Sequence, residues 1–139
     1  MTMALSAPLQ RALFERLTTA PELATLHGRI HDDAPHRSRD AGGEPYITLG
    51  DETISPWNTA TDSGAAHEAV IRVYAPQRGF LAVKEIAAVI VALIEANPPK
   101  PERGVIVTHE FSGARTRREE NGALRRIDLT FRFVIEDDA

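Results

Sequence analysis

The closing segment, Leu124 to Ile135, constrains this chain most. Ile127, Leu129, Phe131, Phe133 and Ile135 alternate with Arg126, Asp128, Thr130, Arg132 and Val134. A period of two puts alternate side chains on opposite faces of a strand, so one face is apolar and the other wet. A strand of that kind needs a sheet with a single covered face.

A second strand reads from His67 to Ala75. Ala69, Ile71, Val73 and Ala75 point one way, against Glu68, Val70, Arg72 and Tyr74. Shorter extended patterns run over Arg29–Asp33, Pro45–Asp51 and Gly104–Gly113. ArgThrArgArgGluGluAsnGly, 115–122, separates the last two strands. Its Asn–Gly pair favours a tight turn, so these strands are expected to form an antiparallel hairpin.

The helical pattern is strongest over Phe80–Ala96, where Val83, Ile86, Ala87, Ile90, Val91 and Ile94 make a broad apolar stripe. Asn97, Pro98, Pro99 and Pro101 end it. Near the N-terminus, Leu9, Leu13, Phe14 and Leu17 predict a helix over Ser6–Thr19, with Ser6 as N-cap. A short second helix is expected over Pro21–His27, with Pro21 at its first position and Gly28 beyond its end. Ala34–Glu44 reads as a loop. Glu52–Ala66 reads as a second long loop, without apolar period and carrying the only Trp. The expected fold is α+β: a mainly antiparallel sheet with helices packed on one face, in a single domain spanning residues 1–139.

Composition restricts the chemistry. The 139 residues suit one core. The net charge of −4 argues against a dedicated nucleic-acid binder. Without cysteine there is no disulfide, thiolate metal site or Cys nucleophile. Arg11, Glu15 and Arg16 break up the apolar residues near the N-terminus, so no signal peptide is read. The longest apolar run, Ile86–Ile94, is far short of a membrane span. No GxSxG, GxGxxG or Walker-type loop occurs. His27, His31, Asp32, Asp33 and His36 form one ligand-type cluster. Gly28 interrupts any helix that would bring His27 and His31 together, so they read as polar residues leaving a helix. Glu119, Glu120, Glu136, Asp137 and Asp138 lie at a turn and a terminus, where nothing tunes a catalytic pair. No catalytic, cofactor-binding or metal-binding residue is assigned.

Two features are expected to serve contact. Arg115, Arg117, Arg118, Arg125 and Arg126 bracket the hairpin tip, and Arg forks bind carboxylate or phosphate in two-point fashion. Protein contact is favoured over DNA because no aromatic side chains interleave for base stacking. The other reading is a hairpin kept soluble by mixed charge. Trp57, followed by Asn58, either tucks onto its own domain or anchors an interface.

An ordered set of segments carries a resemblance: LeuHisGlyArgIleHisAspAspAlaPro (26–35), ProTyrIleThrLeuGly (45–50), SerProTrpAsnThr (55–59), GluAlaValIleArgValTyrAla (68–75), the helix from near Gly79, and LeuThrPheArgPheValIle (129–135). The chain resembles the tail terminator proteins, also called tail completion or head–tail joining proteins, of siphophages and gene transfer agents. The resemblance implies a non-enzymatic structural subunit of a virion or phage-like particle tail, assembled in the bacterial cytoplasm. It further implies a homo-hexameric ring that caps the tail tube and meets the major tail tube protein and the head connector or stopper protein. DNA would pass through its lumen as cargo, with no membrane and no cofactor involved. From the residues alone, Trp57, Asn58, Arg115, Arg117, Arg118 and Arg125 are the expected interface. The competing reading is a small monomeric or dimeric ligand-binding or adaptor domain of the cytosol.

Overall fold

In a computed structural model, residues 2–32, 43–59, 62–76 and 80–138 are described. A 3-10 turn, Thr2–Leu5, leads into α1, Ser6–Thr19, followed by a 3-10 segment, Pro21–Arg29. The strands are β1 (Ile30–His31), β2 (Tyr46–Thr59), β3 (Asp62–Ala75), β4 (Val105–Glu119) and β5 (Leu124–Glu136). Helix α2, Leu81–Ala96, connects β3 to β4. The sheet order is β1-β2-β3-β5-β4. Among the described residues only β1 runs parallel to its neighbour, and the other pairings are antiparallel.

The two clean alternations place the core. Ile127, Leu129, Phe131, Phe133 and Ile135 of β5 are buried with Ala69, Ile71, Val73 and Ala75 of β3. They share one apolar cluster with Leu9, Leu13 and Leu17 of α1, Leu23 and Leu26 of the 3-10 segment, and Val83, Ala87, Ile90 and Ile94 of α2. Helices therefore cover one face, as the alternation demands. Each large side chain removed from water there contributes about 1.5–3 kcal/mol, so this layer is the main stabilising term.

The expected loop over Glu52–Ala66 is instead a long hairpin. Residues 46–59 of β2 pair with 62–75 of β3, from Tyr46↔Tyr74 to Thr59↔Asp62. A bulge between Leu49 and Glu52 slips the phase of the side chains. Leu49 and Glu52 thus fall on the same face although three residues apart. That slip, with Gly64 and Pro56 lending no apolar signal, hides a period of two from the sequence. Beyond it the strand is held through β3 by β5, where Gly64 stands opposite Glu136.

Smaller departures have local causes. The second helix is 3-10 and runs to Arg29, with its turn distorted at Leu23. Ser6 is already inside α1; Leu5 holds the cap position, and the Ser6 hydroxyl donates to Glu52. Phe14 is 40% exposed, while Pro8 and Ala12 join the buried stripe. The hairpin turn is only Glu120–Gly122, with left-handed φ of 52°, 56° and 91°. Arg115, Arg117 and Arg118 therefore lie in β4 rather than in a turn. On the expected wet face, Val134 and Tyr74 are buried, Tyr74 stacking on Tyr46 with ring centroids 4.7 Å apart.

Candidate functional site

The register separates the expected interface residues. Trp57 stands opposite Gly64, which stands opposite Glu136. Arg117 stands opposite Arg126, which stands opposite Tyr74. Along β5 these levels are ten residues apart, about 33 Å at the rise of a strand. The Trp57 end and the arginine end are therefore distinct surfaces.

At the first end, half-buried Trp57 lies against Gly64. A Cβ added at Gly64 would sit 3.3 Å from Trp57 Cε3 and 3.2 Å from the Ile135 carbonyl. The Trp thus packs onto its own sheet on one side. Asn58 follows in β2, its backbone opposite Ser63, while its side chain lies outside the described ones.

The arginines divide again, between the two faces of the sheet. Arg115, Arg117 and Arg126 alternate onto the face without helices, joined by Arg72 from β3. Asp128 is their centre. Its carboxylate is 2.8 Å from Arg126 Nε, 3.3 Å from Arg72 Nε and 3.8 Å from Arg117 Nε. Arg126 also donates to Glu119 at 2.6 Å, and Arg72 to Asp51 at 3.1 Å. The Nε–Oδ1 approaches of Arg72 and Arg126 are close but off the hydrogen-bond line. Arg126 instead donates from Nη2 to Asp128 Oδ2 at 3.1 Å, while charge alone joins Arg72 to it. Burial works against the Arg72 charge, but the Asp51 hydrogen bond and the Asp128 charge outweigh it and hold its pKa above the ordinary value. Arg72 lies over Gly50, where an added Cβ would collide with the guanidinium. Arg115 stays exposed at the edge of a shallow hollow with Arg72, Arg117, Asp128 and Thr130.

Arg118 and Arg125 face the other way. They stand opposite each other across β4 and β5. Their guanidinium carbons lie 5.5 and 5.4 Å from the centre of the Phe80 ring, just before α2. Lys84, one turn into α2, sets its Nζ 6.0 Å from the same centre. Sequence reading missed Phe80 and Lys84, because nothing local shows that the start of α2 meets the far hairpin. It also missed the grouping of Arg72 with Asp128, although the alternation of β5 already puts Arg126 and Asp128 on one face and Arg125 on the other.

The histidines of the expected polar segment are occupied singly. His27 Nε2 is 2.7 Å from the Ala20 carbonyl, and His31 meets the Tyr46 ring edge-on at 6.2 Å. Asp33 and His36 lie outside the described residues. Among the described residues, no group of three His, Asp or Glu side chains is placed to hold a metal. One further polar contact lies on the helix-covered face: fully buried His67 reaches Glu52 through Nδ1 at 3.1 Å.

The body is thus α+β with one helix-covered face, its opposite face carrying arginines paired with acids across strands, and Trp57 on β2. Residues 11–136 match the family described as Tail completion protein gp17, and the chain belongs to that family. It is similar to a chain in the solved structure titled "Virion of native gene transfer agent (GTA) particle", at 31% identity and a TM-score of 0.84. The match covers 96% of this chain and 98% of that one. A comparison with curated proteins gives no match. The family is one of phage structural proteins, and its place is the tail of a phage or phage-like particle.

Proposed function

We propose that copies of this chain close into a ring, six by the family resemblance, that caps the tail tube and joins it to the head connector, with DNA passing through. The observation that carries the ring is the pair of unlike open edges on the sheet. On one side, β1 covers only Ile47 and Thr48, so the rest of β2 has no outer strand among the described residues. On the other, β4 has no outer strand among the described residues, and its Val105 and Val107 are 54% and 44% exposed. Unlike surfaces that meet head to tail form rings when the rotation closes. The near-complete overlap with a chain of an assembled particle supports the same reading.

In this reading Trp57 and Asn58 on β2, and Arg115 and Arg117 on β4, meet neighbouring copies or the tube. Native mass measurement of the chain, alone and with tail tube protein and connector, tests it. A ring mass on the tube end is expected, and Trp57→Ala should reduce ring formation while leaving the monomer folded. A chain that stays monomeric beside both partners at high concentration would leave the adaptor-domain reading in its place.

A further inference from the structure

Arg118, Arg125 and Lys84 form a second cationic surface with no use yet. Three positive groups converge within about 6 Å of one ring centre. Among the described residues none of the three is in an ion pair. Arg125 makes one hydrogen bond, to the Gly122 carbonyl, and its buried Nε has no partner. The opposite face differs: there Arg72, Arg117 and Arg126 are drawn onto Asp51, Asp128 and Glu119. Among the described residues the hairpin thus pairs Arg117 and Arg126 with acids on one face and gives Arg118 and Arg125 no ion pair on the other. Cation–π attraction offsets only about 0.5–1 kcal/mol per exposed group, so the clasp keeps a net positive charge.

The clasp shares Lys84 with a mainly apolar groove. Ala88, Val91 and Ala92 of α2 and Phe111 and Ala114 of β4 line an open, mainly apolar channel, with Lys84 and Glu95 as its charged lining residues. A ligand that fills both must end in carboxylates and continue in small apolar side chains. A nucleic acid would find three cations, a ring already covered by guanidinium groups, and then an apolar wall.

We propose that this surface docks a partner polypeptide through a segment in which acidic residues lead into alternating apolar ones. The carboxylates sit on Arg118, whose fork offers two parallel donors, and on the Arg125 guanidinium, whose Nη1 also holds the Gly122 carbonyl. The apolar residues lie along α2 beside the open edge of β4. This inference adds a partner site to the assembly reading and needs no particular ring number.

The probe is a fluorescent peptide of three aspartates followed by alternating leucine and alanine, titrated into the full chain by anisotropy. Saturable binding is expected, weakened at least tenfold by the double change Arg118→Gln with Arg125→Gln. Ala88→Glu, which obstructs the groove at an exposed position, should weaken it similarly. Arg11→Gln with Arg29→Gln removes the same charge elsewhere and should leave it unchanged. Circular dichroism melts confirm that each variant is folded. No saturable binding, equal binding by the clasp variants, or equal binding of a peptide with asparagine for aspartate overturns the proposal. So does a single-stranded oligonucleotide that binds as tightly at the same salt. Sedimentation of the clasp variants distinguishes a second copy: lost self-association would make this a copy–copy contact and overturn the partner assignment. Ring mass is read separately, so a ring that forms without peptide binding defeats only this proposal.

Discussion

Replacing Asp128 by Asn removes one charge and changes almost no volume. Asp128 is only 15% exposed and Arg126 only 16%, so water screens this pair less than an ordinary surface ion pair. The change leaves Arg72, Arg117 and Arg126 facing one another without their common anion. Arg126 keeps Glu119 and Arg72 keeps Asp51, which limits the loss. Breaking a fully buried pair costs about 3–5 kcal/mol, and an exposed one under about 1. For this half-buried hub the cost is about 2–3 kcal/mol. At this chain length that lowers the melting temperature by about 8–12 °C. Thermal denaturation followed by circular dichroism measures it. Added salt should recover part of the loss by screening the exposed repulsion. A double-mutant cycle with Arg126→Gln should return a coupling above about 1 kcal/mol. If Asp128→Asn melts within about 2 °C of the parent at low salt, Asp128 is not the electrostatic hub of this face.

Two further outcomes test the interior. Gly104→Ala should destabilise by about 2 kcal/mol or more in urea denaturation, because its φ is +92° and the new Cβ would sit 2.8 Å from Ile135 Cγ2 and 2.9 Å from Leu5 Cδ2. Burial, and then the charges of Tyr74, Glu120 and Glu119, push Tyr46 up to about 12 from an ordinary 10.0. The folded state holds that proton more tightly than the unfolded chain. Its contribution is therefore complete below pH 10 and lost as the pH rises from about 10 towards 12. Ultraviolet titration should show one tyrosine ionising late, and Tyr46→Phe should flatten the alkaline fall in stability.

The α+β class, the covered face and the main helix were legible because their signals are local. Alternation along β5 and β3 and the stripe of α2 are fixed by backbone geometry within a dozen residues. Residues 46–66 were half legible: Tyr46 to Leu49 keeps its phase, but the bulge before Glu52 slips it, and only pairing with β3 restores the strand. Phe14 misled for a related reason, since the stripe says which residues share a helix face but not how far the sheet extends beneath it.

The candidate site divides in the same way. Sequence alone determined that five arginines bracket the hairpin tip and that the chain has no thiol, nucleophile elbow or phosphate loop. It also determined the family, through an ordered set of segments that the match over residues 11–136 bears out. Only the tertiary structure decided that one arginine cluster is two surfaces. The parity of β4 and β5 sends Arg117 and Arg126 to Asp128 and sends Arg118 and Arg125 to Phe80. Neither Arg72 nor Phe80 is near the hairpin in sequence; sheet order and the packing of α2 bring them there. Charge content is a property of the chain, whereas the partner each charge meets depends on contacts distant in sequence, which exist only once the sheet has formed.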